Sequence, residues 1–391
     1  MDKKSWLIIF SVSFLMVSYS IAIDTYTPAI PLLIKVLHTT QSKIQNTLNI
    51  FFLANALGGL FYGGLSDAIG RKKVLLFGAI SFGITSLLLA QLQNVNEFLI
   101  LRVLQGVGIA AQGSITGAIL RDVFSGKDFA KASAFSSAIF MIAPTFAPTF
   151  GGILITYLGW RSIFYAMAIF SILTLALIIF IIPETLPKEK RTSLNIKSIL
   201  INTKDVLKER DILACIVGSY LTSASFFVFL TDGSIIIIDI FHKTPLYFGY
   251  YFGFFAILIA LSSLSTGILA KKMSLVKMME YGFIVRNIGG IFLVLTSLFY
   301  PTLLMLTIGL AIFIIPGSFI MTASQTIVMD KYPHMAGTVS SILWFVGTVI
   351  MVGALAIISL LNIKSFYDMA MPMLITTTLG FAFYLIYRKK S

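Results

Sequence analysis

Gly63-Gly64-Leu65-Ser66-Asp67-Ala68-Ile69-Gly70-Arg71-Lys72-Lys73-Val74-Leu75 is a short charged interruption between two long apolar runs, roughly 44–66 and 73–93. Gly70 permits a tight reversal, and Gly63 is expected to let two helices approach closely. Asp67 supplies a carboxylate that can pair with a cation or sit at a helix N-terminus. Such a contact can exist in one conformation and break in another. Taken alone, the stretch also fits a plain turn flanked by charges that set topology.

The apolar runs on either side recur along the whole chain. Of 391 residues, 58% are hydrophobic and 12% charged, with 34 phenylalanines, and the mean hydropathy is +0.94. Soluble domains carry about twice that charge, so a cytosolic enzyme, a disordered chain and a secreted disulfide scaffold are excluded. A membrane helix needs roughly 20 apolar residues, and twelve spans leave about 33 residues for each helix with its loop. The runs place spans near 5–34, 44–66, 73–93, 97–120, 132–157 and 161–182. A second set falls near 211–239, 246–270, 276–298, 301–325, 335–361 and 366–387. The polar stretch 183–210 divides them, giving a six-span bundle over 1–182, a basic linker and a second bundle over 211–391. Met1-Asp2-Lys3-Lys4 ahead of apolar residues imitates a signal peptide, but no small-residue cleavage site follows, so we read a retained first helix.

Lysine and arginine give the orientation. With the N-terminus cytoplasmic, 22 of the 29 fall on that side and five opposite, Arg102 and Arg286 lying within spans. This bias predicts cytoplasmic termini in an inner membrane and an even number of spans. It also explains the net charge of +13 without nucleic acid as a partner. The halves echo each other: Gly63-x-Leu65-Ser66 returns as Gly267-x-Leu269-Ala270, and Ser136-Ser137 as Ser340-Ser341, both 204 residues on. Six spans per half orient both halves alike, a parallel repeat. Cys215 is alone, and His38, His242 and His334 are scattered beside loop signals, so no metal site is expected.

The loop quoted first fills every key position of the G-x-L-[SA]-D-x-x-G-R-[KR] signature of the major facilitator superfamily. Arg102-Val103-Leu104-Gln105-Gly106-Val107-Gly108 resembles that superfamily's R-x-x-x-G-x-G element. Ala143-Pro144-Thr145-Phe146-Ala147-Pro148-Thr149-Phe150-Gly151-Gly152 resembles its antiporter motif, with Ala143 and Ala147 where glycines are usual. Ile23-Asp24-Thr25-Tyr26-Thr27-Pro28, Arg121-Asp122, Gly159-Trp160-Arg161 and Pro183-Glu184-Thr185-Leu186 look like the Bcr/CflA drug-resistance branch. The second half departs from the pattern, with Lys271 where the repeat would place an aspartate.

The resemblance implies an all-α major facilitator fold, twelve helices in two six-helix bundles around a midplane site. It implies a monomer in the lipid bilayer that exports small amphipathic compounds against protons, with no cofactor beyond the proton gradient. Gly63, Asp67, Gly70, Arg71, Lys72, Arg121 and Asp122 would form the conformational switch. Ala143, Ala147, Pro148, Gly151 and Gly152 would form the antiporter motif. Asp24 is the coupling candidate, because a carboxylate in low dielectric can load and release a proton; a hydrated place near the outer interface is the other reading. Arg102 is the second proton-coupling candidate, facing a cavity or a partner, with outward snorkelling as the other reading. Asp232 in Thr231-Asp232-Gly233 reads as a helix end. Arg286 has no assigned role beyond snorkelling or helix packing. Tyr26, Phe140, Met141, Tyr220, Phe226, Phe227, Tyr250, Phe254 and Trp344 would offer aromatic and soft surface to a lipophilic substrate. An importing symporter and a transporter-like sensor are the competing functions. Catalysis and ATP drive are not expected, since no paired catalytic carboxylates, nucleophile elbow or phosphate-binding Gly-x-x-x-x-Gly-Lys loop is present.

Overall fold

The computed structural model describes residues 1–192, 196–332 and 336–388. Its helices are α1 (Lys3–Ile23), α2 (Ile30–Val36), α3 (Gln41–Ile69), α4 (Arg71–Ala90), α5 (Val95–Val123), α6 (Gly126–Leu158) and α7 (Arg161–Phe180). After these come α8 (Ile196–Lys208), α9 (Arg210–Ile235), α10 (Pro245–Leu269), α11 (Leu275–Phe299), α12 (Leu303–Ile314), α13 (Gly317–Lys331), α14 (Ala336–Ile358) and α15 (Phe366–Tyr387). Among the described residues, twelve stretches are long and apolar enough to cross a membrane, and no strand occurs. The chain is an all-helical multi-pass membrane protein. In lipid the backbone must satisfy itself, and helices do so within one segment.

Several spans are interrupted. Span one breaks between α1 and α2, where Asp24–Tyr26 leave the helix and a 3₁₀ turn covers Thr27–Ala29. Pro28 and Pro31 lie in this stretch and donate no backbone hydrogen bond. Pro316 separates α12 from α13 in the same way. Span seven runs from α9 into a π-helical turn, Ile236–Ile240. Asp232 lies inside α9 and is 1% exposed, so Asp-Gly marks no helix end here. Pro144 and Pro148 are carried inside α6, which continues through both. The 183–210 stretch, read from the sequence as a loop, contains α8. His334 lies outside the described residues.

The chain divides into two compact units. Unit 1 holds Met1–Asn195 with Pro245–Gly253, and unit 2 holds Ile196–Thr244 with Phe254–Ser391. The first turns of α10 therefore belong with the first six spans. In unit 1, α5 packs on α3 and α4, and α4 on α7. Ile9, Val12, Leu75, Ala111, Ile115 and Ile178 are core residues there. In unit 2, α9 packs on α15 and α14, and α11 on α15, α12 and α13. The repeat is visible in the backbone. Among the described residues, His38 and His242 are the non-glycine positions in the left-handed region, at φ 46° and 52°. They are 204 residues apart, the offset of the sequence motifs, and each follows the first span of its half.

Candidate functional site

Four arrangements in unit 1 bring the sequence candidates together. The first is the break in span one. Asp24 terminates α1, with its backbone N–H bonded to the Ser20 carbonyl. The C-terminal end of a helix offers no free N–H donors to a carboxylate, and the side chain takes its hydrogen bond from the Ser20 hydroxyl one turn back. Asp24 is 9% exposed, and no cation forms an ion pair with it among the described residues. The Thr27 hydroxyl closes the break by donating to the Asp24 carbonyl at 3.0 Å. Asp24 is therefore enclosed rather than displayed at an open interface.

The second is Arg102, which is fully buried and does not snorkel. Its guanidinium lies over the Tyr26 ring at 4.3 Å, with Phe98, Phe51 and Phe164 at 5.3, 5.5 and 5.8 Å. Nη1 donates to the Ala22 carbonyl at 3.0 Å and to Gln105 Oε1 at 2.8 Å. Gln105 in turn donates to the Ser86 hydroxyl at 2.9 Å. Arg102 thus ties α5 to the end of α1, two residues before Asp24. Its Nε and Nη2 have no hydrogen-bond partner, leaving buried donors available to an acceptor. Tyr26 is wholly enclosed by this contact. Its ring lies under the Arg102 guanidinium and carries no exposed surface.

The third is the charged loop. Gly70 has φ +107°, a conformation that disfavours a side chain, and a Cβ there would strike the Glu184 carboxylate. Arg71 Nη1 pairs with Asp67 at 2.5 Å and takes up the Ser66 hydroxyl at 2.6 Å, while Nε reaches Asp122 at 3.2 Å. The Arg71 N–H donates to Glu184 Oε1 at 2.9 Å, and the Thr185 hydroxyl donates to Asp122 at 2.8 Å. Arg71 thus fastens the ends of α3, α4 and α5 through its guanidinium and the segment after α7 through its backbone N–H. Lys72 stands outside this cluster and donates to the Ile179 carbonyl at the end of α7. Arg121 is exposed and makes no ion pair among the described residues. Gly63 differs from expectation: a side chain there would meet no atom within 4 Å, so close packing does not account for it.

The fourth is the antiporter motif on α6. Gly151 lies directly against the Thr25 carbonyl in the span-one break. On the next face, a Cβ at Gly152 would come within 2.8 Å of the Pro245 carbonyl, and one at Gly249 within 2.6 Å of Thr149 Cα. Backbone meets backbone on both sides of α6, as small residues allow. Ala147 and Pro148 are buried, and Ala143 is partly buried.

The remaining aromatic candidates divide by exposure. Tyr220 is 3% exposed with its ring against Gly347, so it offers little ligand surface. Phe140, Met141, Phe226 and Phe227 are half-buried, while Tyr250, Phe254 and Trp344 are exposed. In unit 2, Arg286 is 3% exposed and packs between helices. It donates to the Thr222 carbonyl and the Ser225 hydroxyl of α9 at 3.2 and 3.0 Å, over the Phe313 ring at 4.4 Å. Lys331 pairs with Glu209 and Asp211, both at 3.2 Å. Sequence reading gave no individual role to Ser20, Gln105 or Glu184. The first two were accessible, at i−4 from Asp24 and i+3 from Arg102 on shared helix faces. Glu184 lies 113 residues from Arg71, and no local signal joins them.

Twelve spans in two units, with a buried carboxylate at a broken first span, define a membrane transporter. Residues 12–355 match the model of the Major Facilitator Superfamily, and the chain belongs to it, in the Bcr/CflA branch. It is 31% identical over 380 residues to the bicyclomycin resistance protein homolog of Haemophilus influenzae, covering 96% of this chain and 93% of that one. A chloramphenicol resistance protein of Pseudomonas aeruginosa is 35% identical over 146 residues, 37% of this chain and 35% of that one. Among solved structures, a bacterial homolog of the human lysosomal transporter Spinster superposes with a TM-score of 0.81 at 15% identity. That match covers 99% of this chain and 97% of the other. The xylose transporter XylE of E. coli gives 0.74 at 13% identity, covering 100% and 99%. At these identities the likeness is one of fold alone.

Proposed function

We propose that the protein exports small amphipathic compounds, of phenicol, sulfonamide or bicyclomycin type, in exchange for protons moving inward. Relatives named for bicyclomycin and chloramphenicol resistance support export over import. The observation that carries proton coupling is Asp24: a nine-tenths buried carboxylate at a break in the backbone, held by one hydroxyl. A buried carboxylate without a cation is strongly disfavoured as an anion, so its proton leaves when the site is rewetted or an acceptor takes its place. Arg102, anchored two residues away on Ala22, would stabilise the carboxylate after the proton departs. Drug and proton then compete at Asp24, each favouring a different state of the alternating-access cycle. Both termini are cytoplasmic in this scheme, in the inner membrane.

The test uses inside-out vesicles made acid inside, with a pH-sensitive dye, and a panel of phenicols, sulfonamides, cationic dyes and amino acids. Wild type is expected to release protons when a drug is added, and Asp24→Asn to remain silent while still binding that drug. Proton release that survives Asp24→Asn would retain antiport and remove Asp24 from it. Drug-dependent proton movement in the same direction as the drug would replace export by symport.

A further inference from the structure

An exposed flank of unit 1 carries an apolar groove of about 620 Å³ that the transport cycle above leaves unused. Leu154 and Leu158 line it from α6, and Ser162, Tyr165, Ile169 and Leu173 from α7. The α7 residues recur every three or four positions, so they form one helix face. The floor is closed by Ile21 of α1 and by Phe170, whose ring stacks on Phe14 at 4.3 Å. Leu158, Ile169 and Leu173 are each more than half exposed, so none of the described residues covers the groove.

A cation stands at one end. Arg161 is exposed, and its guanidinium lies over the Trp160 ring at 4.3 Å. Trp160 is itself buried and meets Phe164 edge-on at 6.1 Å, which fixes the pair. No acidic side chain pairs with Arg161 among the described residues. An indole beside a cation at the end of a span suits the membrane interface and anionic headgroups. From Ser162 to Leu173 the groove runs about 17 Å at the helical rise. That is close to half of the roughly 30 Å hydrocarbon core, the depth of one leaflet.

We propose that this groove seats one acyl chain of an anionic phospholipid, with its phosphate on Arg161. The apolar walls supply contact along the chain, and the guanidinium favours a net-negative headgroup over a zwitterionic one, whose choline cation it repels. The measurement is native mass spectrometry of the full-length protein with phosphatidylglycerol or phosphatidylcholine carrying identical acyl chains. Wild type is expected to retain one phosphatidylglycerol about fivefold better than phosphatidylcholine, the contribution of a single arginine at an anionic surface. Arg161→Gln removes that preference and leaves the weaker chain binding. Ala166→Phe, which fills the groove from an outward position, lowers retention of both lipids. Equal retention of the two lipids by wild type would overturn the proposal, as would a preference that survives Arg161→Gln. Unchanged retention in Ala166→Phe would overturn the groove as the seat. Displacement of the lipid by a transported drug, with no displacement by added phosphatidylglycerol, would make it a substrate groove instead. Circular dichroism and the thermal midpoint of both variants establish that they fold.

Discussion

At the residue scale, Arg71 shows how much one side chain gathers. It holds Asp67 four positions earlier, Asp122 on another helix and, through its backbone, Glu184. The Asp67–Arg71 pair is legible in the sequence, because only four positions and the Gly70 turn separate the carboxylate from the guanidinium. The other partners are separated by 51 and 113 residues and emerge only with the fold. Arg71→Ala is expected to lower stability by about 1–2 kcal/mol, since Asp67 and Asp122 remain partly solvated. A lower midpoint of thermal unfolding in detergent checks this. Arg71→Lys restores only part of the loss, because an ammonium lacks the separate Nη1 and Nε donors of the planar guanidinium that reach Asp67 and Asp122. Arg102 teaches the opposite lesson. Its position in a span made it conspicuous, but the four rings around it come from four spans. Nothing in the order of apolar residues distinguished them from their lipid-facing neighbours.

At the scale of elements, proline and glycine act through their surroundings. Pro28 and Pro316 lie at breaks, whereas Pro144 and Pro148 sit inside a continuous α6. Glycine divides likewise. A methyl at Gly151 would collide with the Thr25 carbonyl, while one at Gly63 would meet nothing. Gly151→Ala is expected to destabilise by about 1–3 kcal/mol, because backbone must move to accept it. Gly63→Ala, which removes only the helix penalty of glycine, is expected to be neutral or stabilising by up to about 1 kcal/mol. Thermal unfolding of the two variants side by side decides this; equal midpoints would contradict it. Gly151→Ala also displaces the Asp24 break, so drug-dependent proton release is expected to fall with it.

At the scale of the whole molecule, the 22-to-5 division of lysine and arginine predicts the topology. Cys215 is buried, so single cysteines introduced elsewhere report without interference. Lys364→Cys is expected to react with an impermeant maleimide in intact cells, and Lys190→Cys only after permeabilisation. The reverse pattern would invert the chain in the membrane and turn the proposed export into import. The number of spans, the two halves and their 204-residue offset follow from the sequence alone. A bilayer accepts only internally bonded segments of sufficient apolar length, and that requirement is written locally. Only the tertiary structure decided which side chains face inward, that Tyr26 belongs to Arg102, and that Pro245–Gly253 joins unit 1. The physical reason is the solvent. Lipid tails are as apolar as a helix interior, so Phe180 at 83% exposure and Phe98 at 0% look alike until the helices pack.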